Sequence, residues 1–391
     1  MSEMNICLIS YEFPPMVGGE GSYTYGLFKT LSELGYDVKV ITTNFGIDEK
    51  FGIEEENVIR VPTINKPPLR LFSFAKNSKK ALASLNFDII HYTNDYEFVI
   101  SKNVDVPTIL TTHTPYLAEK AFLMGELKFA EYLHYLSYRR PDFIKKRLRI
   151  LCGATDRIIS VSNYVAKDIV NEYKTPQNKI MVIPNAVDIT KFNPNIRDEE
   201  IRKKQLGIHD ERVILFVGRM DHIKGVSYLI NAFSMLFRER QDVKLVLVGG
   251  GPLQKRFESY VRKTHLRNSV IFTKGLREEE LAQLYRTCHI FVLPSLIEGF
   301  GIVLLEAMAT GKPCIASMSG GPEEIIKHGE TGFLVPPADS KALFEKLFIL
   351  LEDEELLKKF GDAGRKRVEK MFTWEKVAKQ TVELYGRCRN V

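Results

Sequence analysis

Cysteine is scarce in this 391-residue chain and scattered: Cys7, Cys152, Cys288, Cys314 and Cys388 form no Cys-x-x-Cys pair. That spacing argues against a structural zinc site and against a disulfide scaffold, and it fits a reducing compartment. No apolar run approaches the ~20 residues that span a bilayer. The stretch Met1 to Ser10 lacks the basic flank and long apolar run of a signal peptide. The expected location is therefore the cytoplasm. No Asp-x-Asp occurs anywhere, so no obvious carboxylate pair stands ready for a metal–diphosphate complex. Short-period repeats and low-complexity tracts are absent as well.

What is present is ordinary globular material. Hydrophobic residues make up 45% and charged residues 27%, enough to bury two cores, and the length suits two domains of nearly 200 residues, on the order expected when single cores stop growing. The net charge of +6 is compatible with nucleic acid, an anionic membrane surface or a phosphorylated substrate, and does not choose among them.

Short β-branched runs alternate with longer amphipathic segments, the pattern of parallel sheets covered by helices. In the first half, strands are expected at Ile6–Ser10, Val38–Thr42, Ile89–Tyr92, Thr108–Thr112 and Arg157–Val161, with a helix from Ser22 to Leu34 stopped by Gly35. A second series follows at Val213–Val217, Lys244–Val248, Val270–Thr273, Ile290–Leu293 and Pro313–Ala316. The boundary is expected in Pro184–Pro194, before a helix restarts within Asp198–Gly207. The fold class is α/β: two doubly wound, Rossmann-like domains, in which ligands bind beyond the carboxyl ends of the strands. Two such domains facing each other would leave a substrate cleft.

One region breaks the alternation. Residues 116–151 carry eight Lys/Arg against four acids. They read either as surface helices with solvated charges or as an acceptor-side surface able to touch an anionic membrane peripherally, each basic residue adding about 1 kcal/mol there.

The most informative segment follows the expected strand Ile290–Leu293. It reads Glu298-Gly-Phe-Gly-Ile-Val-Leu-Leu-Glu306-Ala-Met-Ala. Gly299 and Gly301 permit a tight turn and close backbone approach. A helix starting near Ile302 leaves its first N–H groups unpaired and its positive dipole end outward, a site for phosphate. Glu306, flanked by Leu304, Leu305, Ala307 and Met308, is expected to be partly buried and so to need a partner; a sugar diol would supply two donors.

This segment resembles the Glu–seven residues–Glu signature of the retaining glycosyltransferase family 4, which has the GT-B fold, and the resemblance extends over nearly the whole chain. It implies an N-terminal acceptor-side domain over 1–190, a donor-binding domain over 191–371 and a C-terminal helix over 372–391 that returns to the first domain. By the same resemblance Glu298 contacts the transferred sugar and Glu306 the ribose. The backbone at Gly299, Phe300, Gly301 and Ile302 meets sugar or phosphate oxygens.

Companion motifs agree. Strand Val213–Val217 exits into Gly218-Arg219-Met-Asp-His-Ile-Lys224-Gly225, where Arg219 can bind a diphosphate bidentately and Lys224 as a point charge. The loop resembles the family's diphosphate motif. Gly18 and Gly19 lie in a turn that is not Gly-x-Gly-x-x-Gly, which disfavours a dinucleotide site; it resembles the loop that approaches donor phosphates and acceptor. Thr112-His113-Thr114 resembles the donor-sugar histidine motif, with His91 secondary. Ser162 and Asn185-Ala-Val-Asp188 match landmarks near the cleft and hinge, and Gly251 and Leu276 fall in loops resembling those around the nucleobase. Trp374, the only tryptophan, reads as a packing anchor at the start of the last helix.

The implied reaction moves a hexosyl group from a UDP- or GDP-sugar co-substrate to a hydroxyl acceptor (sugar, polyol or lipid-linked), with retention and without metal or cofactor. His113, Arg219, Lys224 and Glu298 form the catalytic set. A glycoside hydrolase, a sugar-nucleotide epimerase on the same fold and a pyridoxal-phosphate-dependent phosphorylase are rival enzymes. A basic nucleic-acid- or membrane-binding module would explain the charge but not the two glutamates, and nucleic acid is not an expected partner.

Overall fold

The computed structural model describes residues 4–14, 18–45, 55–64, 69–94, 105–115 and 141–389. It divides into two compact units, Met1–Ala186 with Trp374–Val391, and Val187–Thr373. The first division, at 186/187, falls inside the Pro184–Pro194 stretch expected from sequence, and 186/187 and 373/374 lie a few residues from the 190/191 and 371/372 bounds that the resemblance implied. The cause is local. Val187 N–H donates to Phe372 O at 3.0 Å and pairs with Thr373 as an isolated bridge, so both linker strands join the second unit at one point.

The first unit holds a seven-stranded parallel sheet in the order β3-β2-β1-β4-β5-β6-β7. Its strands are β1 Asn5–Ile9, β2 Asp37–Thr43, β3 Val58–Val61, β4 Ile89–Tyr92, β5 Thr108–Thr112, β6 Arg157–Ser160 and β7 Ile180–Val182. The second holds a six-stranded parallel sheet in the order β10-β9-β8-β11-β12-β13. These are β8 Arg212–Val217, β9 Val243–Val248, β10 Val270–Thr273, β11 Ile290–Leu293, β12 Cys314–Ser317 and β13 Gly332–Val335. Central strands such as β11 (IFVL) are buried at every position, as strands covered on both faces must be.

Each sheet reverses its strand order once, between β1 and β4 and between β8 and β11. Loops leaving two adjacent strands at such a point diverge to opposite faces and open a crevice between them. The helices obey local chemistry. Glu199–Leu206 ends on Gly207 in the left-handed region, and Asp339 and Asp353 accept from Ala342 N and Leu356 N at the starts of the helices Ser340–Glu352 and Glu354–Met371.

The first helix begins at Gly19 rather than Ser22 and runs to Glu33, with Gly35 at φ +87° after it. The last helix, Trp374–Arg389, packs on it within the first unit's core through Val377, Ala378, Leu384 and Tyr385.

Candidate active site

In the second unit the site forms at the β8/β11 reversal. Ile290 and Phe291 of β11 pair with Ile214 and Leu215 of β8, so the loops 218–225 and 294–301 leave neighbouring strands at one edge. Gly225 holds them together. It has φ +64°, and a Cβ there would lie 2.0 Å from Pro294 O. No side chain fits.

Lys224 and Glu298, one from each loop, meet across this contact. Lys224 Nζ lies 2.7 Å from Glu298 Oε2, and Ser295 Oγ donates to the same oxygen at 3.0 Å. The backbone of Glu298 is fixed as well: its N–H donates to Ser319 O at 3.0 Å, and its carbonyl accepts from Gly321 N at 2.9 Å. Gly321 packs so tightly that a Cβ would be 2.3 Å from Phe300 Cα. Asp221 ties the two cations of the loop. Its Oδ2 accepts from Arg219 Nε at 2.6 Å, and its Oδ1 accepts from Lys224 N at 3.1 Å. Arg219 stays 60% exposed, so its guanidinium is oriented yet open to a ligand.

The helix after Glu298 runs Ile302–Ala309, preceded by Gly301 at φ +103°, and among the described residues no side chain caps it. An uncapped, positively polarised end beside Lys224 and Arg219 suits an anion. Phe300 is buried, with its ring 6.1 Å from Phe372, which fixes the turn that starts the helix. Glu306, a turn further on, is half-buried and has the partner its surroundings demand: Tyr285 Oη donates to Oε2 at 2.6 Å. Burial pushes the Glu306 carboxyl up to about 7, against the lowering effect of that hydrogen bond.

Gly251 lies in a loop stitched to the first one. Met220 N donates to Gly250 O at 2.8 Å and Leu253 N to Met220 O at 3.0 Å. Leu276 is half-buried, next to Gly275 at φ +67°. Arg219, Lys224 and Glu298 are thus brought together, and the Gly251 loop is bonded to the Arg219 loop. Among the described residues Leu276 has no such bond to them.

His113, Gly18 and Gly19 belong to the first unit. His113 Nε2 is 2.9 Å from Thr93 O. A carbonyl only accepts, so Nε2 carries the hydrogen and Nδ1 is the lone-pair nitrogen. Burial lowers the His113 imidazole to about 4. The Tyr23 ring stands edge-on to it at 4.8 Å. Gly18 and Gly19 are exposed, and Gly18 N donates to Glu12 Oε2 at 3.0 Å. His91 is different. It is fully buried, with Nδ1 at 2.6 Å from Tyr385 Oη and Nε2 at 2.7 Å from Thr111 Oγ1. Both nitrogens are occupied, Nδ1 tying the last helix to the sheet and Nε2 bridging β4 to β5, a structural role. Ser162 is likewise local, accepting from Val165 N at 3.1 Å as a helix cap.

Three residues escaped sequence reading: Asp221, Ser295 and Tyr285. Asp221 stood inside the quoted loop motif and could have been read from it. Tyr285, on the helix Glu278–Thr287, carries no signal linking it to Glu306.

Of the basic region, residues 116–140 lie outside the described residues. In the helix Pro141–Ala154 that follows, Arg149 and Ile150 are exposed and Lys145 pairs with Glu172 at 3.1 Å. Among the described residues no helix is long and apolar enough to cross a membrane, and no group of three or more His, Cys, Asp or Glu is placed to hold a metal ion. All five cysteines are buried, and none is in a disulfide.

Comparison with known proteins gives a consistent answer. Residues 17–191 match the family model described as Glycosyltransferase Family 4, and residues 197–367 the model described as Glycosyl transferases group 1. An uncharacterized glycosyltransferase of Methanocaldococcus jannaschii is 30% identical over 395 residues, covering 98% of both chains. The MMP alpha-(1->4)-mannosyltransferase of Mycolicibacterium hassiacum is 29% identical, again over 98% of both. Among solved structures, sucrose-phosphate synthase from Thermosynechococcus elongatus superposes with a TM-score of 0.83 at 26% identity, covering 98% of this chain and 99% of that one.

Proposed function

The chain belongs to the family 4 glycosyltransferases of the GT-B fold, and from that premise we propose that it moves a hexosyl group from a UDP- or GDP-sugar to a hydroxyl acceptor. Transfer proceeds with retention of configuration and needs no metal ion. The donor lies in the second unit, and the acceptor is held by the first.

The observation that carries this reading is the Lys224–Glu298 pair at 2.7 Å, set beside Arg219 and an uncapped helix start. In the transition state the sugar gains positive charge and the departing phosphate gains negative charge. Arg219, Lys224 and the amides of Gly301 and Ile302 supply preorganised positive charge for the phosphate, stronger in the transition state than in the ground state. They take the part a metal ion would otherwise play. The Glu298 carboxylate, steadied by Ser295 and Lys224, accepts from hydroxyls of the transferred sugar, and Glu306 accepts from the ribose. None of these groups is a general base. Retention is then served by same-face attack, the leaving phosphate oxygen taking the acceptor's proton.

His113 is proposed to contact the donor sugar. Its neutral imidazole, with Nε2 engaged by Thr93 O, offers a lone pair at Nδ1 to a hydroxyl. The mannosyl transfer in the name of the Mycolicibacterium relative supports a hexose donor. The location proposed is the cytoplasm, with peripheral contact at an anionic membrane surface through 116–151, and the mildly basic charge supports that contact.

Thermal-shift and turnover screens with UDP-, GDP- and ADP-sugars test the whole reading, since a bound donor raises the melting temperature according to its affinity. Stabilisation and turnover by a UDP- or GDP-sugar in chelator, giving a product with the donor's anomeric configuration by NMR, is the expected result. Turnover only after divalent metal is added would defeat the metal-independent part. Inverted product would defeat retention.

A further inference from the structure

Tyr285 is fully buried, wedged between the rings of Phe192 at 5.6 Å and Phe291 at 5.5 Å. Its hydroxyl reaches the neighbouring helix and donates to Glu306 Oε2 at 2.6 Å. A buried tyrosine this far from water stays protonated, its phenol held well above the ordinary value by burial and by the Glu306 charge, so the bond has one direction. Oε1 of Glu306 has no hydrogen bond among the described residues.

We propose that Tyr285 is a positioning residue for donor recognition, holding Glu306 by Oε2 so that Oε1 is the oxygen presented to the ribose hydroxyls. The inference rests on Glu306 being the ribose carboxylate. It goes further in naming the group that decides which oxygen is offered and in what protonation state. With Oε2 accepting from Tyr285, a proton taken up by Glu306 sits on Oε1. There it converts the acceptor of a ribose hydroxyl into a donor. Nucleotide binding therefore weakens as Glu306 protonates, and Tyr285 favours the ionised, binding-competent form.

Other charges near Glu306 have a different balance. Glu278, on the same helix as Tyr285, favours its protonated form, and Lys191 favours the ionised one; those two pair with each other. Arg365, on the helix Glu354–Met371 that packs against the Glu306 helix, is engaged with Glu369 and with the carbonyls of Ile189, Phe192 and Ala309. On the short helix Pro322–Ile325, Glu323 accepts from Gly320 N. Cys314 of β12 and Cys288 are buried thiols pushed up by burial, and neither ionises near neutral pH.

The test titrates UDP and GDP, and their 2′,3′-dideoxy counterparts, into wild type, Tyr285→Phe and Glu306→Gln by calorimetry at about pH 7 and about pH 9. In the wild type the ribonucleotide is expected to bind at least about tenfold tighter than its dideoxy form, the scale of one buried hydrogen bond to a charged group. Tyr285→Phe removes a bond that favours the carboxylate. It should weaken ribonucleotide binding about tenfold near pH 7 and less than about threefold near pH 9, and leave dideoxy binding unchanged. Glu306→Gln should bind the ribonucleotide weakly and with the same affinity at both pH values, because the amide does not titrate.

A Tyr285→Phe loss that is the same at both pH values, or shared by the dideoxy compounds, overturns the proposal, because packing alone would then explain it. No loss at all overturns it too. Wild type that ignores the ribose hydroxyls sinks the Glu306 reading instead, and binding of neither nucleotide sinks the donor reading. Matching unfolding curves of wild type and Tyr285→Phe confirm that the comparison is between folded proteins.

Discussion

Lys224 Nζ sits 2.7 Å from Glu298 Oε2, although 74 residues separate them in the chain. One residue leaves β8 and the other β11, and the two strands are neighbours only because the sheet reverses its order there. Under the proposed function the pair joins a phosphate-side cation to a sugar-side carboxylate, so each would hold the other in place before a donor arrives.

That coupling predicts non-additive kinetics. Lys224→Ala should lower kcat/KM by about 10²-fold or more, the cost of one preorganised donor to the developing charge. It also leaves Glu298 an unbalanced negative charge where the proposed diphosphate would bind. Adding Glu298→Gln to Lys224→Ala should therefore cost less than the sum of the two single losses, as expected of residues in contact. Arg219→Ala should cost about 10²-fold for the same electrostatic reason. Steady-state transfer kinetics check all three, and near-wild-type turnover in either cation variant would rule that residue out of the machinery.

The first unit makes a stability prediction at Gly26. A Cβ built there lies 2.1 Å from Trp374 Cζ2, and the indole is rigid. Alanine normally gains about 1 kcal/mol over glycine inside a helix. Overpacking costs about 1–3 kcal/mol, so the clash should win and Gly26→Ala should unfold at lower denaturant. A variant as stable as wild type would mean that the last helix shifts without penalty.

Acid should destabilise the first unit through its histidines. Burial lowers His91 to about 3 and His113 to about 4, below the ordinary value of 6.5. Between these limits the unfolded chain binds more protons than the folded one. Stability contributed by keeping both rings neutral is therefore fully present above 6.5 and is lost as pH falls towards 4 and 3. Each ring contributes a slope of up to about 1.4 kcal/mol per pH unit. Glu306, raised from 4.5 to about 7, acts oppositely in the second unit: its contribution is lost as pH rises through that window. Denaturant unfolding across pH should show His91→Gln flattening the acid-side slope. An unchanged slope would count against the burial argument.

Much of the fold was legible because central parallel strands announce themselves as β-branched runs. The three strands that were not anticipated, Val58–Val61, Ile180–Val182 and Gly332–Val335, are all sheet edges. Edge strands are short and partly open, Ile180–Val182 being half-buried throughout, so their composition carries little signal. The division at 186/187 falls inside the expected Pro184–Pro194 stretch, because proline and asparagine mark an irregular segment there. They do not mark the point where Val187 pairs with Phe372 and Thr373.

By itself the sequence determined the family, the strand–loop–helix order and the loops that carry Arg219, Lys224, Glu298 and Glu306. All of these are local: glycine at turns, an apolar run before them, charge within a few residues. Tertiary structure alone decided the partners. Lys224 with Glu298, Tyr285 with Glu306, and His91 with Tyr385 each join residues from separate elements. A hydrogen bond between such elements depends on strand order and helix packing, which no short window of sequence contains. The Glu298–Glu306 segment looked self-sufficient as a motif. In the fold, each of its two carboxylates is oriented by a residue from elsewhere in the chain.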